Sequence, residues 1–179
     1  THYSLIRAGI LCLKFLVFCV LFMPLVVTPS TFFPFVVGKA VYSRILIEMA
    51  VVLWVPLMIL VKNLRPTKNA ILITLGAYII ASILSSFLGV SFNASFWSTF
   101  ERMQGLLDLA HWFLFALILV SLFRTYQNWQ SLLTANLIVS IIICIIGLLQ
   151  YSGNHSLIPL FQVNPSNGRV ESTLGNATY

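Results

Sequence analysis

The chain has 179 residues, of which 59% are hydrophobic and 8% charged, with a mean hydropathy of +0.98 and a net charge of +6. About a quarter of the residues in soluble domains are charged, so this composition excludes a soluble globular protein and indicates an integral membrane protein. In a membrane protein the excess of Lys and Arg bears on topology, and it gives no indication of nucleic-acid binding.

Five apolar runs are each long enough to form a transmembrane helix. They cover residues 8–27, 45–61, 70–88, 106–123 and 132–151. A sixth helix is expected to begin within the polar segment 168–179 that closes the chain. The predicted fold class is therefore all-α: a polytopic transmembrane helix bundle of five spans with the start of a sixth, in a single domain 1–179.

The first two runs carry charges at or inside their ends. The first has Arg7 at its start and Lys14 two turns in, and it lacks a clear cleavage site, so we interpret it as a span rather than a signal peptide. The second has Arg44 and Glu48 four residues apart, and this spacing places both on one helix face, where they can form a structural pair.

The third run places small residues at a spacing of four. They are Ala77, Ala81, Ser85 and Gly89. Such a row lets another helix approach closely, which predicts that the third span is central in the bundle.

The fourth run carries Asp108 and His111 three residues apart. A hydrogen-bonded pair that orients the span is favoured over a metal site, because no third ligand is evident. An isolated His beside Trp112 is also an alternative axial ligand for a tetrapyrrole pigment. The three cysteines, Cys12, Cys19 and Cys144, lie within apolar runs, which predicts small buried side chains rather than disulfides.

The distribution of charge predicts a cytoplasmic N-terminus, because Lys and Arg collect in cytoplasmic loops. On that side fall six bases and no acid: Arg7, Lys14, Lys62, Arg65, Lys68 and Arg124. On the other side fall four bases and four acids: Lys39, Arg44, Arg102 and Arg169 with Glu48, Glu101, Asp108 and Glu171. The mixed chemistry is therefore predicted on the extracytoplasmic face.

That face carries the predicted site. The guanidinium of Arg169 offers a planar fork suited to phosphate, and it precedes hydroxyl groups at a predicted helix N-terminus, which also attracts anions. Lys39, Arg44 and Arg102 would complete a cationic site at the same depth. The supporting residues are Glu48, Glu101, Ser172, Thr173 and Asn176. The alternative is that Arg169 only pairs with Glu171 on a solvated loop.

Three stretches on this face resemble the first half of the O-antigen ligase family, which includes O-antigen polymerases. They read FPFVVGKAVYSRILIE, SFWSTFERMQGL and GRVESTLGN. The resemblance implies a bacterial inner-membrane glycosyltransferase that moves a glycan from an undecaprenyl diphosphate carrier to a periplasmic acceptor. It implies that Lys39, Arg44, Arg102 and Arg169 hold the carrier diphosphate, with no metal or cofactor.

The family differs from this chain in its length. Its members have more spans and a later periplasmic loop with a presumed catalytic histidine, a role that does not transfer to His155. The resemblance thus implies the N-terminal part of a longer enzyme, or a truncated relative, with the catalytic residues unknown. Its partners would be a lipid-linked glycan and membrane lipid. Two other classes stay open: a non-enzymatic subunit that packs with other membrane subunits and binds a pigment through His111, and a transporter fragment.

Overall fold

The computed structural model describes residues 2–99, 104–152, 170 and 172–175, and this part of the chain is helical without strands. The helices are α1 (His2–Leu21), α2 (Val37–Leu60), α3 (Ala70–Leu88), α4 (Phe92–Trp97), α5 (Leu106–Leu122) and α6 (Tyr126–Tyr151). Single 3₁₀ turns at Met23–Leu25 and Lys62–Leu64 follow α1 and α2. The predicted all-α membrane bundle is confirmed.

Within the described residues, four helices are long and apolar enough to cross a membrane, namely α1, α2, α3 and α6. The predicted fourth span, α5, has 17 residues, about 25 Å at 1.5 Å per residue, which is shorter than a hydrocarbon core of about 30 Å. Residues 172–175, where a sixth helix was expected to begin, form a turn, and 176–179 lie outside the described residues.

Local sequence explains where the helix ends differ from the prediction. Helix α1 ends at Leu21, since the ring of Pro24 cannot continue the hydrogen-bond ladder. Helix α2 begins eight residues before the predicted residue 45, so Lys39 and Arg44 lie on a helix rather than in a loop. Helix α6 begins at Tyr126, where the Thr125 side chain caps the first turn by accepting from the Asn128 N–H.

The core lies among α1, α2 and α5. Its fully buried side chains include Leu13 and Val17 of α1, Ile47 of α2 and Ile118 of α5. Helix α6 packs against α1, and α3 packs against α5. The helices therefore form a three-helix centre with one helix added on either side.

The prediction that the third span is central is wrong. In α3 only Leu72 and Ser86 are buried. All members of the predicted small-residue row are exposed: Ala77, Ala81, Ser85 and Gly89. The helix packs on α5 through the opposite face, and the small-residue row points away from the rest of the described structure.

The two ends of the bundle differ in charge. At one end, which we call the basic end, the connection 61–69 lies beside the connection 123–125, and the Arg124 guanidinium donates to the Arg65 carbonyl. At the other end, the mixed-charge end, α2 and α5 begin, α1 and α6 finish, and Lys39 donates to the Thr173 carbonyl. The connections between the long helices therefore alternate between the two ends of the bundle.

Candidate functional site

One ion pair and one imidazole–carboxyl contact join α2 to α5 below the mixed-charge end. The Arg44 Nη2 lies 3.2 Å from the Asp108 Oδ1, and the His111 Nε2 lies 3.0 Å from the Glu48 Oε1. The first pair is enclosed, with side-chain exposures of 12% and 16%. In the second pair His111 is buried, whereas the Glu48 side chain is 65% exposed.

The pairs form because α2 and α5 run in the same direction. Both helices begin at the mixed-charge end, so residues one turn further along α2 meet residues one turn further along α5. Arg44 and Glu48 are four residues apart, and Asp108 and His111 are three apart. The two pairs consequently lie at successive turns of the same interface.

This arrangement corrects two predictions. The sequence spacing suggested a pair within α2, Arg44 with Glu48, and a pair within α5, Asp108 with His111. The structure instead joins each residue to the facing helix. Spacing along one helix shows only which residues share a face, and the packing of α5 on α2 supplies closer partners for all four.

Further hydrogen bonds hold the α5 residues in place. Trp112 donates its indole N–H to the second carboxylate oxygen of Asp108 at 3.1 Å. The His111 Nδ1 lies 2.7 Å from the Leu107 carbonyl oxygen, so both ring nitrogens of His111 have partners. An axial bond to a pigment would require one of these contacts to break, which weakens the pigment hypothesis.

The turn 172–175 meets α2 and α6 at the mixed-charge end. The Ser172 N–H donates to the Gln150 side chain at 2.7 Å, and the Ser172 hydroxyl donates to the Ile143 carbonyl at 2.8 Å. Thr173 is fully buried, and its carbonyl accepts from the Lys39 ammonium. Ser172 and Thr173 therefore help to position the turn beside Lys39, and they are not exposed to a ligand.

A glycine allows this turn to lie close to the loop before α2. Gly175 has φ of +78°, a left-handed conformation that favours glycine. A Cβ atom at this position would also collide with the Phe35 side chain. The sequence TLG at 173–175 thus permits a close contact that a larger residue would prevent.

A cavity of about 480 Å³ opens between these elements. Its polar wall includes Lys39, Ser43 and Asp108, and its apolar wall is formed by the segment 32–36 together with Trp112. Cavities of about 300 to 1,000 Å³ with mainly apolar walls and a few polar groups are typical ligand sites. Of the predicted site residues in the described part of the chain, Lys39 lines this cavity.

A second cavity, of about 280 Å³, lies between α3, α4 and α5. Its lining includes four residues that carry hydroxyl groups, Tyr78, Ser82, Ser86 and Ser95. The three serine hydroxyls each donate to the carbonyl one turn back, which leaves their oxygen lone pairs as acceptors. Gln104, Asp108 and Trp112 line both cavities. The sequence analysis did not predict this second cavity, although the serines stand beside the small-residue row.

Several predicted site residues lie outside the described part of the chain: Glu101, Arg102, Arg169 and Asn176. The described part holds no cluster of three or more His, Cys, Asp or Glu side chains that could bind a metal. The cysteines are unpaired, and Cys12 and Cys144 are exposed rather than buried as predicted. Part of the surface of α1 and α6, which carry these two cysteines, therefore faces outward, where lipid would lie in a membrane.

Comparisons of the chain with protein-family models, curated proteins and solved structures found no match.

Proposed function

We propose that this chain is part of a membrane glycan transferase of the O-antigen ligase or polymerase type, and that the 480 Å³ cavity binds the diphosphate of a lipid-linked glycan. The observation that supports this proposal is the cavity itself. It combines a cationic side chain with an aromatic and apolar wall at the end of the bundle, and its ligand would be an amphiphile with an anionic group.

The charges around the cavity favour an anion. Asp108 lines the wall, but the Arg44 guanidinium lies against its carboxylate and offsets the negative charge. Among the described lining residues, the Lys39 ammonium is then the cation without a carboxylate partner, since it donates to a neutral carbonyl. In this proposal Arg44 positions and neutralises Asp108, and Lys39 contacts the phosphate.

Arg102 and Arg169, which lie outside the described residues, complete the phosphate site in this proposal, as the sequence analysis predicts. Their planar guanidinium groups would supply the bidentate contacts that a lysine does not offer.

The difference in charge between the two ends supports an orientation in the membrane. The basic end would face the cytoplasm and the mixed-charge end the periplasm of a bacterial inner membrane. The cavity would then open toward the leaflet that holds the donor glycan. The transfer itself would be an inverting displacement at the anomeric carbon, in which the cations stabilise the departing diphosphate.

The proposal is tested by glycan transfer with the full-length protein in membrane vesicles. Arg169→Ala and Lys39→Ala are each expected to lower transfer at least tenfold while membrane insertion is unchanged. Arg169→Lys should restore little, because a point charge does not reproduce a fork of donors. The matched control is Lys68→Ala, an exposed base at the basic end. Unchanged transfer in both alanine variants would refute a diphosphate site here.

A second candidate is a non-enzymatic subunit, and the exposed small-residue row of α3 favours it. A helix face of Ala, Ser and Gly is typical of close helix packing, and nothing in the described structure covers it. In this candidate, the variant Ala81→Cys would cross-link in native membranes to the helix that covers this face. Cross-linking to a different polypeptide, together with intact glycan transfer in the Lys39 variant, would favour this candidate over the enzyme.

A further inference from the structure

Glu48 occupies an unusual place for a carboxyl group. It is the twelfth of the 24 residues of α2, so it lies at the middle of a helix long enough to cross a membrane. Its side chain is 65% exposed, and its neighbours Ile45, Met49 and Val52 are exposed apolar residues on the same side. A carboxylate that faces lipid at this depth is costly, and such residues are usually functional.

The contacts of His111 indicate how many protons the Glu48–His111 pair holds. The His111 Nδ1 is 2.7 Å from the Leu107 carbonyl, which only accepts hydrogen bonds, so Nδ1 carries a hydrogen. In a neutral imidazole the other nitrogen, Nε2, then has no hydrogen. The 3.0 Å contact between Nε2 and the Glu48 carboxyl therefore needs one further proton, on either the imidazole or the carboxyl.

We propose that Glu48 and His111 form a proton-binding site at the middle of the membrane, which holds one exchangeable proton between carboxyl and imidazole, with the carboxyl on the outward side of α2. With this proton the pair has no net charge, whether it exists as imidazolium and carboxylate or as imidazole and carboxylic acid. Apolar surroundings require this neutrality. Loss of the proton would leave a net negative charge in the bilayer.

The surrounding charged groups leave this pair separate. One turn toward the mixed-charge end, the Arg44 guanidinium is bonded to Asp108. Helices α1 and α2 run in opposite directions, and the Tyr42 hydroxyl of α2 donates to the Cys19 carbonyl of α1. Lys14 of α1 therefore lies at a level similar to that of Glu48. In the described chain no ion pair joins Lys14 to the Glu48 carboxyl group. From α3 the nearest titratable group is Tyr78, which lines the cavity beside Asp108. Among the described residues, the proton is accordingly shared by one carboxyl and one imidazole.

A hydrophobic carbodiimide is the direct probe, because it reacts with a protonated carboxyl group within a membrane. The carboxyl oxygen adds to the central carbon of the reagent, the C=N π bond is consumed, and the proton of the pair passes to that nitrogen. No group leaves, so the protein gains the mass of one reagent molecule. This inference is independent of the proposed glycan transfer, and its test measures no transfer.

The experiment treats the full-length protein in native membranes with dicyclohexylcarbodiimide over a range of pH and locates the adduct by mass spectrometry. We expect a single adduct on Glu48, which falls as pH rises and is lost in Glu48→Gln. Glu101→Gln is the matched control and should keep the adduct, because Glu101 belongs to the polar segment 89–105 and not to an apolar run. In His111→Gln the pH profile of labelling should shift, because the second proton carrier is gone.

Three outcomes would overturn the proposal. They are the absence of an adduct on Glu48 in the unaltered protein, equal labelling by a water-soluble carbodiimide, and a labelling profile that is independent of pH. The first would mean that the carboxyl is covered or unprotonated, the second that it faces water, and the third that no proton is exchanged.

Discussion

The interface of α2 with α5 differs from the outer helix α3 in the number of side chains that each buries and in the charges that it contains. The α2–α5 interface holds the enclosed Arg44–Asp108 ion pair, the contact of Glu48 with His111, and fully buried side chains that include Ile47 and Ile118. Helix α3 is at least as apolar in sequence, yet it buries only two residues. Hydropathy therefore identifies an apolar helix but does not indicate its place in the bundle. Charged residues inside two apolar helices indicate that those helices pack together.

The largest effect is expected when one partner of the enclosed ion pair is removed. Asp108→Ala should destabilise the folded bundle by about 3 to 5 kcal/mol, the typical cost of leaving a buried charge without its ion-pair partner. The measurement is unfolding in mixed detergent micelles, followed by circular dichroism.

The double variant Arg44→Met with Asp108→Leu is the control for this effect. Replacing both charges by apolar groups of similar volume is often neutral or stabilising. We expect the double variant to recover most of the lost free energy of unfolding. If Asp108→Ala were as stable as the unaltered protein, the Arg44–Asp108 ion pair would not explain why the α2–α5 interface differs from helix α3.

A smaller effect is expected from truncating apolar residues in the two regions. Ile118 is fully buried, and Ile118→Ala should cost about 2 to 4 kcal/mol through lost contacts and a cavity. Ile80 of α3 is 61% exposed, and Ile80→Ala should change the free energy of unfolding by about 0.5 kcal/mol or less. Similar costs at both positions would show that α3 is packed in the micelle by a contact with another copy.

The smallest effects compare the two faces of α3 itself. Ser86 is buried against the bundle, so Ser86→Leu should overpack that face and cost about 1 to 3 kcal/mol. Ala81 is exposed, and Ala81→Leu should be neutral in the isolated chain. Unfolding of both variants under the same conditions checks this prediction. Destabilisation by Ala81→Leu alone would reverse the assignment of the two faces.

The sequence predicted the helical membrane class and the ends of α3 because these depend on local features. Residues 70–88 are bounded by the cap Asn69, which accepts from the Leu72 N–H at 2.7 Å, and by Gly89. The apolar period between such signals is sufficient to define a span. Pro24 also indicates that α1 ends early, at Leu21. The prediction placed the end at residue 27 because the apolar residues continue past Pro24.

The pairing of charges was not predictable in the same way. Arg44 has Glu48 one turn away on its own helix, and only the direction and proximity of α5 decide that Asp108 is its partner instead. The small-residue row of α3 likewise gave a wrong position, because a row that permits close packing does not provide the neighbour. The cavity lined by Lys39 depends on the turn 172–175, which is more than 130 residues away in sequence.

The stacked pairs of α2 and α5 also determine the alignment of the two helices. If α5 slid by one turn, about 5.4 Å, toward the mixed-charge end, His111 would come level with Arg44 and Phe115 would come level with Glu48. The Arg44 guanidinium would then face an imidazole in place of its carboxylate partner, and the Glu48 carboxyl would face a phenyl ring. Sliding of α5 along α2 by one turn is thereby penalised, and the two contacts favour the observed alignment of the helices.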